Sequence, residues 1–297
     1  MKRFVKIALI ISAVLVAVGI AIVVVSMLMG GHVSDLWNSR IQVPTFFHSN
    51  RRVTAPHNEY SKNNTYSLDA DGIDAVQIDW VSGDVTVKIE NSDQITFSES
   101  GTGLTEETAL RYGVQGSTLG IHYCDNQNFA NINLPAKRLT VILPASLAAN
   151  LRSLSVGTVS ANVTIDDPAF HMEKLDFESV SGNLNAVIDL AGTVELETVS
   201  GELTINGRIN KFDAESVSGD VLLDCRNGAP RELDADTTSG DVEFCLPQDA
   251  DLSLEYDTVS GDFDSAHAMN IHGETYMIGN GRGDWKVETV SGDLTVK

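Results

Sequence analysis

Apolar and polar residues alternate strictly through the second half of the chain, in segments that share one grammar. LDFESVSGNL, VELETVSGEL, FDAESVSGDV, LDADTTSGDV, LEYDTVSGDF and WKVETVSGDL each read apolar, usually acidic, apolar, acidic, Ser or Thr, then a Ser-Gly motif and an apolar residue. Alternation is the period of a half-buried strand, so Leu175 and Phe177, or Val194 and Leu196, are predicted to point inward and the acids outward. The motif glycine gives the backbone freedom to turn a corner, and alternation resumes beyond it in DVLLDC and ELTIN.

The motif recurs at a fixed interval. Copies stand at Val81, Val180, Val199, Val217, Thr238, Val259 and Val290, with VSANV at Val159 as a degenerate eighth. From Ser160 the serines fall at 181, 200, 218, 239 and 260, a period of 18 to 21 residues, before a longer step to Ser291. A unit of that size holds strand, corner, strand and return, which is one coil of a β-solenoid. The predicted fold is therefore all-β, a parallel β-helix of about 20-residue coils. Tandem antiparallel hairpins in a sandwich give similar alternation, but they need no identical corner at a fixed period. Between about Glu90 and Leu151 the pattern is less regular, with TEETAL predicted as a short helix and LTVILP as a buried strand ended by Pro144. The extra residues between Gly261 and Ser291, including GNGRGD, predict a protruding loop, and the final DLTVK predicts an open strand edge on the terminal coil. Ser82 is expected to lie far from the regular array.

A different pattern opens the chain. Ile7 to Met29 is a run of 23 uncharged, mostly apolar residues, and a helix that long covers about 35 Å, enough for a bilayer core of about 30 Å. A cleaved signal peptide has a shorter apolar region and a small-residue cleavage site, which GGHVSD does not offer. Lys2, Arg3 and Lys6 before the run, against Arg40 alone in the twenty residues after it, place the amino terminus in the cytoplasm and the remainder outside. The expected organisation is an anchor over 1–29, a stalk over 30–67 rich in Gly, Pro and Asn, and a repeat domain over 68–297.

Charge narrows the function classes. All 41 acidic residues follow the apolar run but only 17 of the 20 Lys and Arg do, so the exported part carries −24 of charge. That balance argues against nucleic acid and anionic lipid as partners. Three cysteines imply no disulfide framework, and although Cys225 and Cys245 are one coil apart their opposite parity would require a bulge for a bridge. Seven histidines, His32, His48, His57, His122, His171, His267 and His272, show no metal-ligand spacing, and no nucleophile elbow or phosphate loop is present.

Taken with the anchor and the LTVILP strand, the serial Ser-Gly-Asp corners resemble the bacterial DUF4097 family, described as candidate adhesins and found on many Gram-positive envelopes. The resemblance covers roughly Leu68 to Lys297. It implies a parallel β-helix on the outer side of the cytoplasmic membrane, no established catalytic residues, and an association with envelope stress.

Carboxylates are the residues whose arrangement suggests chemistry. With coils about 4.8 Å apart, the grammar makes three ladders: a corner row of Asn183, Glu202, Asp220, Asp241 and Asp262; a second of Glu178, Glu197, Glu215, Asp236 and Asp257; and a third of Asp176, Glu195, Asp213, Asp234 and Glu255. Solvent tolerates such rows, since neighbouring charges at that spacing in water repel by only about 1 kcal/mol. As a binding surface they would collect divalent cations such as calcium, through Asp220, Asp241 and Asp262 with help from Glu215 and Asp236, or a basic partner. The sequence therefore reads as a non-enzymatic, membrane-anchored, extracytoplasmic interaction or scaffold module of the bacterial cell envelope, linked by resemblance to envelope stress or adhesion, with envelope components as partners. Two other classes remain open: a polysaccharide-active β-helix enzyme, and a filament-forming scaffold that self-associates through the terminal edge.

Overall fold

The computed structural model describes residues 65–124, 134–273 and 275–297. The expected membrane helix over 7–29 and nearly all of the stalk lie outside these residues. Among the described residues no helix is long and apolar enough to cross a membrane.

Nearly all of the described chain is strand. The first half contains β1 (Thr65–Asp69), β2 (Ala75–Glu90), β3 (Gln94–Gly101), β4 (Arg111–Gln115), β5 (Thr118–His122), β6 (Lys137–Pro144) and β7 (Leu151–Asp166), with one four-residue helix, α1 (Ala145–Ala148). The repeats follow as β8 (His171–Ser179), β9 (Leu184–Thr198), β10 (Leu203–Ser216), β11 (Val221–Asp224), β12 (Glu232–Thr237), β13 (Val242–Cys245) and β14 (Leu252–Thr258). The chain closes with β15 (Phe263–Ser265), β16 (Asn270–His272), β17 (Thr275–Ile278), β18 (Gly283–Thr289) and β19 (Leu294–Val296).

Parallel pairing stacks these strands into coils. Segments before the motif form one face in the order β5, β2, β7, β8, β9, β10, β12, β18, β14. Segments after it form the other, in the order β6, β2, β7, β9, β10, β11, β13, β19, β15. The chain is thus a β-solenoid, and the tandem-hairpin alternative is set aside by the parallel register. Alternation places Leu175, Phe177, Val194, Leu196, Phe212 and Ala214 in the core, each almost fully buried.

Coil order departs from chain order at both ends. The last repeat does not sit at the end of the stack: β18 lies between β12 and β14, and β19 between β13 and β15. The open edge expected at DLTVK is therefore filled on both sides, and the exposed terminal coil is β14 with β15. In the insertion expected as a protruding loop, β16 and β17 form an antiparallel hairpin, and β17 runs back along Leu252–Glu255 of β14. At the other end β2 is interior, with Ser82 directly beside Ser160, so the first corner belongs to the array. There β3 runs antiparallel to β6 and to β1, while β4 runs antiparallel to β5. TEETAL forms no helix but a turn in which Thr105 and Thr108 bond one another. LTVILP is the buried strand expected, within β6.

The motif is explained by the corner it builds. At Gly182, Gly201, Gly219, Gly240 and Gly261 the Ser or Thr hydroxyl three residues earlier accepts the glycine amide, as Thr198 does from Gly201 at 2.9 Å and Ser216 from Gly219 at 2.8 Å. The motif serine donates its hydroxyl to the preceding coil, Ser218 to the Val199 carbonyl and Ser239 to that of Val217, each at 3.2 Å. Glycine is required because successive corners touch: a Cβ on Gly219 would stand 1.9 Å from the Gly201 carbonyl oxygen, and one on Gly240 2.1 Å from that of Gly219. Close approach, not a left-handed backbone, is the cause at these two sites, and Gly83, at φ 105°, is the motif glycine with positive φ.

Candidate functional site

The pre-motif face carries the acids in register. Asp176, Glu195, Asp213 and Asp234 are successive partners across β8, β9, β10 and β12, and Glu178, Glu197, Glu215 and Asp236 form the row beside them. Insertion of β18 changes both rows. Lys286 stands between Asp234 and Glu255, and Glu288 between Asp236 and Asp257. Lys286 Nζ lies 3.1 Å from Glu288 and 3.8 Å from Asp234, and Lys174 Nζ donates to Glu195 at 2.6 Å. The face is acidic, but Lys286 stands within the rows, and Lys174 and Lys211 share a column beside them.

Crowding raises the affinity of these carboxylates for protons. Burial, reinforced by Asp176 and Glu197, pushes Glu178 up to about 8. Burial and the Asp234 charge push Asp236 up to about 7, and its Oδ1 is buried without a hydrogen bond. Glu197, more open to water, is pushed up to about 7 by burial among its row neighbours and by Glu215. Asp213, Glu215 and Asp234 are raised as well, in each case chiefly by burial.

The corner row is built differently. Asp220 Oδ1 accepts the Asp241 amide, Asp241 Oδ1 that of Asp293, and Asp293 Oδ1 that of Asp262, all at 2.8 Å. Asp293 therefore separates Asp241 from Asp262, which the sequence had placed as neighbours, and the carboxylates of Asp220 and Asp241 hold the next corner. Glu215 and Asp236 are in register with each other on β10 and β12, in a row separate from the corner. Among the described residues no group of three His, Cys, Asp or Glu is placed to hold a metal ion.

Other candidate groups are dispersed. His122 pairs with Asp79 at 2.9 Å and His171 contacts Asp189, at separate places on the solenoid. Cys225 and Cys245 are free thiols, Cys225 buried and Cys245 partly exposed, as their parity requires. Burial pushes the Cys225 thiol up to about 12, which makes it inert. The GNGRGD segment is not a free tip, because Asp251 Oδ1 accepts the amides of Asn280 and Arg282 at 2.7 and 3.2 Å and Gly283 is already in β18.

The family model described as Toastrack DUF4097 matches residues 73–208 and 149–297, which together span most of the chain. The chain belongs to the DUF4097 family. No curated protein matches it. Among solved structures, this DUF4097 chain is similar to a candidate lipid-binding protein from Parabacteroides distasonis, at 15% identity over 80% of this chain and 98% of that one, with a TM-score of 0.44. A candidate adhesin from Bacteroides fragilis aligns at 12% identity over 78% and 96%, with a TM-score of 0.43. A candidate cell adhesion protein from Clostridium sporogenes aligns at 11% over 78% and 97%, with a TM-score of 0.38. The two Toastrack matches overlap within β7 to β10, where coil follows coil in chain order.

Proposed function

We propose that this DUF4097 chain is a non-enzymatic, membrane-anchored interaction module of the bacterial envelope, with its solenoid outside the cell. The observation that carries the reading is the division of labour among the polar residues. Motif Ser, Gly and Asp are engaged by the corners themselves, whereas the acids of β8, β9, β10 and β12 form continuous rows that stay acidic beside the partners they have, Ser155 on Asp176, Lys174 on Glu195 and Lys286 near Asp234. Rows of carboxylate on a broad sheet face suit a basic macromolecular partner through charge complementarity. The uncharged run from Ile7 to Met29 and the basic residues before it support the anchor and its orientation. A role in envelope stress or adhesion rests on the family resemblance.

Protease added to intact protoplasts is expected to remove the repeats, and full protection overturns the external location. Photo-crosslinkers at Glu195 and Glu215 are then expected to capture an envelope component in a salt-sensitive way, and loss of capture when Asp213 and Asp234 become Asn assigns the contact to the rows. Calcium binding by Asp220, Asp241 and Asp262 with Glu215 and Asp236 is a separate reading, because it draws on corner carboxylates that already accept amides as well as on the rows. It requires a melting-temperature gain in millimolar calcium over sodium at equal ionic strength.

A further inference from the structure

The solenoid is closed at one end and open at the other. At the amino-terminal end β6 covers the first corner, and the Lys137 carbonyl oxygen would stand 2.1 Å from a Cβ on Gly83. At the far end β17 covers only Leu252–Glu255 of β14. The rings of Tyr256, Phe263 and Tyr276 close the apolar core there, with successive centroids 5.6 and 4.6 Å apart. Among the described residues, β15 has β19 as its one paired strand, and no coil lies beyond the corner Val259–Asp262.

The groups left facing outward are those that elsewhere hold the next coil. The Val217 carbonyl accepts both the amide and the hydroxyl of Ser239, at 2.9 and 3.2 Å, and the Val290 carbonyl accepts both from Ser260, at 3.0 and 3.3 Å. Val259 is the equivalent residue of the terminal coil. Asp262 is the last member of the corner row, and its carboxylate is the terminal coil's equivalent of the Asp293 carboxylate that accepts the Asp262 amide. The Leu294 amide donates to the Asp262 carbonyl at 2.9 Å, and by the same pattern the Phe263 amide points away from the stack. Such a line of donors and acceptors is a template for an added strand. Val259 and Ile271, 55% and 65% exposed, are large hydrophobic residues of this same end.

Charge decides what can be added. Glu255, Asp262 and Asp264 are all exposed around the edge. A second copy would set these acids against themselves, in a chain whose formal charge is −21. We propose that the edge from Val259 to Ser265 receives an extended, Lys- or Arg-bearing segment of a partner protein, which stacks as the next coil. Backbone groups supply the pairing, and the surrounding acids exclude acidic strands while favouring basic ones. This edge is distinct from the acid rows of β8 to β12.

The test uses the full-length chain in mild detergent and a synthetic peptide, KVSGNVKVK. Three measurements are expected to agree. The peptide binds, N-methylation of alternate amides weakens it at least tenfold, and hydrogen exchange slows at Phe263 and Ser265. An EVSGNVEVE peptide is expected to bind at least tenfold more weakly, and Asp262→Asn with Asp264→Asn to weaken KVSGNVKVK several-fold without loss of the circular dichroism spectrum. Equal affinity for the N-methylated peptide, or unchanged exchange at β15, overturns strand addition. Concentration-dependent dimerisation that protects Val259–Ser265 without peptide assigns the edge to a second copy and also overturns the proposal. Because the N-methylated control reads backbone pairing alone, failure here leaves the salt-sensitive contact of the acid rows untouched, and the reverse holds too.

Discussion

Lys137 and Glu99 form an ion pair in which neither side chain is exposed at all. Lys137 Nζ donates to Glu99 Oε2 and to the Thr108 carbonyl, both at 2.7 Å, and to the Tyr123 carbonyl, while lying 3.8 Å from the centre of the Tyr123 ring. Glu99 uses its other oxygen to accept the Leu110 amide at 2.9 Å. Burial lowers the Lys137 pKa and the Glu99 charge opposes that shift, so the ammonium survives because every proton has an acceptor or a ring to face. The pair joins β3, β6 and the turn before β4, closing the amino-terminal end of the stack. Lys137→Met would leave the carboxylate buried with one amide for company, and is expected to cost about 3 kcal/mol in urea unfolding, part of which Glu99→Gln restores in the double variant. Nothing in the sequence indicated this pair. The two residues are 38 apart in a stretch without a clear period, and a lysine at the start of a strand ordinarily reads as solvent-facing.

At the level of the element, the coil was legible and its order was not. Period, alternation and corner all follow from the shared grammar, because each unit needs an apolar inner row and a glycine where corners touch. The same uniformity hides the sequence of stacking. WKVETVSGDL and LEYDTVSGDF obey one rule, so either could pack on β12 as far as pattern goes. Particular contacts make the choice: Trp285 Nε1 donates to the Pro230 carbonyl at 2.9 Å, and its ring meets Phe244 edge-on at 5.1 Å. That is why Asp293, Lys286 and Glu288 appear within ladders from which the sequence reading omitted them. The corner itself gives a graded prediction. Ser218→Ala removes a hydroxyl bond at an exposed site and is expected to cost about 1 kcal/mol or less. Gly219→Ala forces a methyl into the Gly201 carbonyl and is expected to cost about 3 kcal/mol, because relief requires two coils to separate. Equal unfolding midpoints for these two variants would be inconsistent with corners in contact.

Across the whole molecule, the rows make stability depend on pH in a direction opposite to the usual one for carboxylates. An acid whose folded pKa is raised holds its proton longer in the native state than in the unfolded chain, where such groups titrate near 4. The folded state then binds more protons between that value and the raised one, so its stability is complete at low pH and declines as pH climbs through about 7 for Asp236 and about 8 for Glu178. Lys174 and Lys286 face the rows and reduce the repulsion, and both stay protonated throughout that window because their pKa values are raised. Asp74, Asp189, Asp224 and Asp251 work in the other direction, since their folded pKa values are lowered and their contribution disappears only as pH falls through those values. The melting temperature is therefore expected to be higher at pH 5.5 than at pH 8.5, by on the order of 5 °C. Glu178→Gln should shrink that difference, because it removes the proton-binding group with the highest raised value on the face. Added salt should shrink it only in part, since salt screens the repulsion between rows and leaves the burial contribution in place. A melting temperature that is flat or rises between pH 5.5 and 8.5 would show that the rows are fully hydrated. The same titration sets the charge that the face offers a partner, so capture of a basic ligand by the rows should strengthen over the very interval in which the fold loses stability.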